Sequence, residues 1–498
     1  MAKVFDVVVG GSGMGGLTAA SLLAARGLKT LILERQHTVG GYMGDFYRGR
    51  WRFDAAASFV GAVEKGGEVG SLLSEIGVAD RAAFVPVADS FRLLLPDREL
   101  NTRAQPYIEM LVAAFPNQRR QIERFGRILS SIDAEVLRLE SLNGWRRLLV
   151  PFYCPRLLRY ARTTVGDLIS RELQDPAPRA LAANFPATAP PSEISLLFAA
   201  TVLSKGQRGG LYYPVGGTAA LARWIAEAAT QHGAELRTGT AVAAIEHDGL
   251  RVRAVRTTSG ERFETRAFVA DFNPCDVLAN LEGPETRHIR AAQRRTSRFR
   301  YSASAFIVYL GLKEGLHWSK EFFFNTIFET LDLENLYKTI GRGEVPDQSV
   351  IHVVFPCALG QRGGDTAAPT AKIITVAPYD LFARWRGEGG LDDYHRRKNE
   401  LADRLIERVC RYLPSLRGAV VFREAASPLT LEQWTGNRRG AMYGLEPTVN
   451  QFGPMRWPNT GILRGLYFCG HYSRPSPGIV GTCYSGRFAA ERASRDLR

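Results

Sequence analysis

Two short apolar runs stand close together at the start of the chain, residues 4–9 (VFDVVV) and 29–34 (KTLILE). Each has the length of a buried strand. Between them, residues 14–26 (MGGLTAASLLAAR) carry small and apolar side chains at helical spacing, and Gly27 follows where a terminating glycine belongs. The pattern predicts strand, helix, strand within the first 34 residues. Residues 100–205 are helical and irregular, with an Ala/Pro-rich loop at 182–191. Residues 213–232 read as a Gly-led turn and a helix. The segments ELRTGTAVAAIEH, LRVRAVRTT and ERFETRAFVADF then alternate apolar and polar positions, with turn signals at Asp248-Gly249 and Ser259-Gly260, which predicts an antiparallel meander. Residues 287–420 mix helices with strands such as SASAFIVYLGL and KIITVAPY, and the tail RGLYFCGHYSRPSPGIVGTCYSGRFAAERAS reads strand, loop, helix. No internal repeat is visible.

The length of 498 residues and 45% hydrophobic content suit a globular chain with a large core. The net charge of +14 and pI near 9.6 favour anionic partners. The charge concentrates in residues 144–162, where Arg146, Arg147, Arg156, Arg159 and Arg162 alternate with Trp145, Phe152, Tyr153 and Tyr160 and no acid intervenes. Rings and arginines in this mixture suit the headgroup layer of an anionic membrane, and a solvated basic loop is the alternative. No nucleic-acid reading motif accompanies the charge. A strand beginning at about Val4 leaves no room for a signal peptide, and no apolar run reaches membrane-spanning length. The six cysteines are scattered, without CxxC or a metal-spaced His, as expected of reduced thiols in the cytoplasm. The expected location is cytoplasmic, peripheral on the inner face of a membrane, with no metal.

Gly11, Gly13 and Gly16 form GxGxxG between the first strand and the helix. Gly11 permits the turn, Gly13 lets backbone approach a pyrophosphate, and Gly16 packs helix on strand, while the helix N-terminus offers N–H groups to phosphate. Glu34 ends the second strand at the distance expected of an acid that binds a ribose hydroxyl. Gly40 and Gly41 follow closely, suited to a second backbone approach to the same pyrophosphate.

Five blocks resemble the phytoene desaturase, carotenoid isomerase and retinol saturase group of FAD enzymes: VVVGGSGMGGLTAASLLAARGLKTLILER, GGYMGDFYRGRWRFD, GGLYYPVGGTAALARWIAEAATQHGAELRTGTAVAAI, SPLTLEQWTGNRRGAMYGLE and GLYFCGHYSRPSPGIVGTCYSGRFAAE. The resemblance covers nearly the whole chain, and the spacing in the middle is closer to the isomerase and saturase branch. It implies an α/β (α+β overall) architecture. A Rossmann-type FAD-binding domain of the glutathione-reductase/amine-oxidase kind is assembled from segments 1–95, 213–286 and 421–498. A helical substrate- and membrane-associated region (96–212) and an α+β substrate domain (287–420) are inserted between them. It implies non-covalent FAD, with Met14 and Arg35 completing the dinucleotide set. Val242 would hold the adenine by its backbone, Gly470 would pass the ribityl chain, and Gly478, Ile479 and Val480 would present a helix N-terminus to the pyrimidine end of the flavin, where it stabilises negative charge. Where many related flavoproteins have an acid, this chain has His471.

The candidate catalytic groups are His471, Tyr472 and Glu424. His471 would serve as an acid or base, or only as a hydrogen-bond partner of backbone or cofactor. Tyr472 and Tyr443 would line a substrate tunnel or fill the core. Glu424 and Glu432 flank the SPLT block as proton acceptors or surface acids, and Cys469 and Cys483 read as structural thiols. The resulting expectation is an FAD-dependent oxidoreductase that exchanges hydride between flavin N5 and a carbon of a long apolar polyene or isoprenoid, in carotenoid-type desaturation, saturation or cis–trans isomerisation. Two alternatives share the architecture: an amine or porphyrinogen oxidase, and a non-enzymatic isoprenoid-lipid escort.

Overall fold

The structure, a computed structural model, describes residues 3–87, 89–101, 107–141, 150–184, 188–208, 210–363 and 368–498. Lys3–Gly10 (β1), Met14–Ala25 (α1) and Thr30–Leu33 (β2) form the expected βαβ unit. β1 pairs in parallel with β2 on one side and with the strand Arg262–Ala270 on the other. Both faces of this sheet are covered, so Val7, Val8 and Val9 and all of β2 are buried, as the continuous apolar runs require. α1 is buried nearly all round, because it lies between the sheet and the C-terminal helix Gly478–Leu497. Its small residues make that possible: a Cβ on Gly486 of the C-terminal helix would overlap the carbonyl oxygen of Gly15.

The meander forms with hairpins at the predicted turns, Gly249 at φ 89° and Gly260 at φ 87°. One expected strand divides. Glu235–Arg237 pairs in parallel with the outer edge of β2, the chain turns at Gly239 with φ 64°, and Val242–His247 then joins the antiparallel ladder. The tail strand Leu466–Phe468 pairs in parallel with the end of Arg262–Ala270, at Phe268↔Leu466. The first and last parts of the chain thus share one sheet.

A second sheet has the order Val420–Ala426, Ser304–Leu312, Thr370–Ala377, Val350–Val354, Phe324–Phe328, Phe91–Leu94, Glu99–Asn101. The Phe91–Leu94 strand, from the end of the 1–95 segment, enters this sheet parallel to Phe324–Phe328. One face carries Phe306, Val308, Ile351 and Ile373 against the helix Tyr379–Tyr412. The other face looks back at the βαβ unit and holds the loop that follows Trp51–Asp54. Tyr309 OH donates to Ala55 O at 2.5 Å, and the buried Lys372 ammonium donates to Ala56 O at 3.0 Å and Ala57 O at 2.6 Å. Burial pushes that lysine down to about 8. No helix among the described residues is long and apolar enough to cross a membrane.

Candidate functional site

In an open α/β sheet, ligands bind beyond the C-terminal ends of the parallel strands. Four such ends converge here: Gly11–Gly16 after β1, Glu34 after β2, Asp271 after Arg262–Ala270, and Cys469-Gly470-His471 after Leu466–Phe468. Gly11 has φ 100°. Met14 is buried at the start of α1, whose N-cap residue Gly13 supplies no side-chain oxygen to the first N–H groups. Gly40 (φ 112°) donates its N–H to Ser12 O at 2.9 Å, and Gly41 faces Gly13, a Cβ on it lying 3.7 Å from Gly13 Cα. The two glycine turns therefore stand against each other.

Glu34 is 8% exposed. Its Oε2 accepts from Ser12 N–H at 2.8 Å and from Ser12 Oγ–H at 2.6 Å, while Oε1 accepts from Gln36 N–H at 2.8 Å. The acid thereby fixes the glycine turn. Arg35 donates instead to Gln433 O, at 2.6 Å, at the end of the helix Pro428–Thr435. Val242 opens its strand two residues beyond Thr240, whose N–H donates to Glu34 O at 2.8 Å. Gly478 (φ 82°) begins the C-terminal helix, again without a side-chain cap, and Ile479 and Val480 are half-buried in its first turn.

His471 and Tyr472 lie together, ring centroids 4.5 Å apart and edge-on, with His471 Nε2 3.1 Å from Asn437 Oδ1 and Tyr472 OH donating to the same oxygen at 3.1 Å. Burial, with the Arg456 cation second, lowers His471 to about 3, so its ring is neutral at working pH. Tyr42 stands 6.2 Å from it, and burial raises that phenol to about 12. The Tyr443 phenol is likewise pushed up by burial. Glu424 stands apart on the second sheet. Its carboxylate accepts a two-pronged pair from Arg48, at 2.6 and 2.9 Å, and is partly exposed. Glu432 accepts from Tyr379 OH at 2.5 Å and from Arg439 N–H at 2.7 Å. The Cys469 and Cys483 thiols are buried and raised by desolvation, Cys483 to about 12, so neither is a thiolate.

Two residues of the site escape the sequence reading. Asp271 is partly buried, with Oδ2 accepting from Gly16 N–H at 2.9 Å. An acid that ends an apolar strand beside β1 was the available signal. Arg456 is completely buried. Its Nε–H donates to Ser473 O at 2.9 Å and its Nη2–H to His471 O, so the guanidinium braces the turn after Gly470. No periodicity or motif marks it.

The glycine cradle tests whether a dinucleotide fits. A Cβ on Gly13 would stand 2.6 Å from Asp271 Oδ2, and one on Gly15 2.5 Å from Gly470 N, so the backbone is bare where the four strand ends meet. Bare backbone, helix N-termini whose own N-cap residues supply no side-chain oxygen, and an acid after β2 define the class: a dinucleotide-binding protein closed by its own C-terminal strand and helix. The chain belongs to the flavin containing amine oxidoreductase family, whose model matches residues 14–494. It is 25% identical over 515 residues to prolycopene isomerase 1, chloroplastic, of an Oncidium hybrid cultivar, covering 100% of this chain and 85% of that one. It is 24% identical over 508 residues to phytoene desaturase (lycopene-forming) of Pseudescherichia vulneris, covering 99% of each. Among solved structures, an oxidoreductase from Methanosarcina mazei superposes with a TM-score of 0.64 at 13% identity, covering 98% of this chain and 100% of that one, a likeness of fold. The family resemblance and the α/β architecture read from the sequence are borne out, and the protein is a flavin-dependent oxidoreductase.

Proposed function

We propose that the protein binds FAD non-covalently and oxidises, reduces or isomerises carbon–carbon bonds of a long apolar polyene. Gly11, Gly13, Met14, Gly16, Glu34, Gly40 and Gly41 would hold the dinucleotide, Gly470 the ribityl chain, and Gly478 to Val480 the pyrimidine end. Bound there, the flavin supplies hydride acceptance and donation at N5. The observation that carries the substrate class is the electrical character of the space before His471. Tyr42, Ala56, Ile374 and Met442 form one apolar cluster there with Phe53, Ile307 and Tyr309. The rings that reach this side are neutral, His471 held near 3 and His352, on Val350–Val354, near 4 by burial. The nearby Lys372 ammonium is taken up by the Ala56 and Ala57 carbonyls, so the wall offers a substrate no free charge for orientation and binding rests on buried apolar area, at about 25 cal/mol per Å². His471 and Tyr472 position substrate and cofactor, and Glu424, engaged by Arg48, is at most an auxiliary group. The test is anaerobic mixing of the purified protein with retinoid- and carotenoid-length polyenes, followed in the flavin's visible band, with acid precipitation to release the cofactor. Bleaching or isomer exchange by polyenes and intact FAD in the supernatant are expected. Oxidation of small amines with no response to polyenes overturns the substrate class, and flavin retained in the pellet overturns non-covalent binding.

We propose further that residues 150–162 dock on an anionic membrane. The supporting feature is a projecting knuckle formed by the short helices Val150–Tyr153 and Pro155–Tyr160. Cys154 and Leu157 pin it to the helical core, while Phe152 is 81% exposed and Tyr153, Leu158, Arg156, Arg159 and Arg162 are also turned outward. Trp145, Arg146 and Arg147 lie outside the described residues. An exposed ring flanked by arginines matches the headgroup boundary, and the attraction is screened by salt. The protein should float with phosphatidylserine vesicles and be released at high salt. Phe152→Ser with Arg156→Ser and Arg159→Ser should abolish flotation while leaving flavin content unchanged. Flotation that ignores both the substitutions and salt would refute this docking face.

A further inference from the structure

We propose that Asp271 is part of the flavin dinucleotide site and occupies it as a neutral carboxylic acid, so that binding the pyrophosphate is coupled to protonation of this residue. The proposal rests on the flavin assignment and extends it to a group with no place in the glycine fingerprint.

The geometry comes first. Asp271 follows the last residue of the Arg262–Ala270 strand, and its own N–H donates to Gly10 O at 2.8 Å. Its side chain enters the gap between the first glycine turn and the returning tail. Oδ2 accepts from Gly16 N–H at 2.9 Å, and a Cβ on Gly13 would stand 2.6 Å from the same oxygen. A Cβ on Gly470 would overlap Oδ1, and one on Gly15 would stand 2.9 Å from it. The carboxyl is thus wedged between the start of α1 and Gly470, in contact with the backbone expected to receive pyrophosphate and ribityl chain.

The charge follows. The positive end of α1 attracts an anion, but a pyrophosphate and an aspartate at one helix terminus would compete for it and repel each other. The groups facing Asp271 give no cationic relief. The turn Gly10–Gly16 has no titratable side chain, β2 contributes the Glu34 carboxylate, and the tail contributes the Cys469 thiol. Burial, reinforced by Glu34 and opposed by the Gly16 and Gly13 N–H groups, raises Asp271 to about 7. Desolvation and a neighbouring negative charge both favour the neutral form. Two phosphate charges added beside it push in the same direction. The flavin-free protein then ionises Asp271 above neutrality while the loaded protein keeps the proton. Linkage fixes the sign: FAD binds tighter at lower pH, and affinity falls as pH rises through the flavin-free value.

The test uses the full-length holoprotein, diluted at pH 6.5, 7.5 and 8.5, with free FAD read by its fluorescence. The Kd should rise with pH, approaching but not exceeding about tenfold per unit for one proton. Asp271→Asn keeps the shape and the acceptor but cannot ionise. It should hold FAD as tightly at pH 8.5 as the wild type does at pH 6.5, with a flat profile. Should that variant fail to fold, calorimetric titration of FAD into the stripped wild-type protein at pH 7.5, in two buffers of different ionisation enthalpy, reads proton uptake directly. Uptake of a substantial fraction of a proton per FAD supports the coupling. A flat wild-type Kd profile, an Asp271→Asn variant with the wild-type slope, or zero proton uptake overturns it. Failure of the flavin assignment is separately visible, as a protein that binds no FAD at any pH.

Discussion

Gly470→Ala is expected to give a folded protein that emerges from gel filtration without flavin. Two effects act together at this position. Gly470 has φ 82°, where an alanine costs about 1–2 kcal/mol. The larger effect is steric. The new Cβ would overlap Asp271 Oδ1, and that carboxyl cannot swing away without giving up its bond from Gly16 N–H. Either the tail strand or the first glycine turn must move, and both belong to the proposed dinucleotide site. A displacement of even 1 Å at a preorganised binding surface is costly, and we expect flavin affinity to fall by at least roughly a hundredfold, equivalent to about 3 kcal/mol. Absorbance at the flavin band against protein concentration measures the loss. Combining Gly470→Ala with Asp271→Ser removes the obstructing oxygen and should restore most of the affinity, leaving only the backbone term. Full flavin content in the single variant would show that the overlap is absorbed elsewhere and that Gly470 is not a point of close approach.

Legibility of this chain in its sequence follows the range of the interactions concerned. β1, α1 and β2 are set by neighbours: an apolar run, three glycines at fixed offsets, and Gly27 at the helix end. The hairpins at Asp248-Gly249 and Ser259-Gly260 are likewise local, because turn chemistry selects them. The division of residues 235–247 was not legible, since Glu235–Arg237 is drawn to the edge of β2 by a parallel pairing with residues some 200 positions away in the chain. Asp271 was missed for the same reason: the Gly16 N–H that defines its environment is 255 residues distant. Glu424 illustrates the converse. Its position beside a family-like block suggested chemistry, yet a strand pairing places it opposite Tyr309 and within reach of Arg48. A cofactor fingerprint is written in sequence because it is one local turn. The acids and cations that tune it come from other strands, and only the assembled sheet identifies them.

The assembly of the chain's two ends also predicts a reversal of sign in a pair of otherwise similar substitutions. Replacing a helical glycine by alanine ordinarily stabilises, by up to about 1 kcal/mol, because alanine loses less backbone entropy on folding. Gly387, within the helix Tyr379–Tyr412, has open space around its would-be Cβ, and Gly387→Ala should follow that rule. Gly486 lies within the C-terminal helix, but its would-be Cβ overlaps Gly15 O and lies 2.8 Å from Thr18 Cβ. Neither obstacle is the end of a flexible side chain; one is the backbone of α1 in the glycine turn itself. Overpacking against such a wall costs about 1–3 kcal/mol or more, which exceeds the propensity gain. The net effect should be a loss of roughly 2 kcal/mol and a clearly lower melting temperature, with flavin released during the same transition, because the displaced partner is the helix whose N-terminus is proposed to receive the pyrophosphate. Calorimetric scans of wild type, Gly387→Ala and Gly486→Ala at fixed FAD concentration decide the matter. A Gly486→Ala protein that melts at or above the wild type would show that α1 and the C-terminal helix are not in backbone contact. The site would then not be closed by the packing of the chain's first helix on its last.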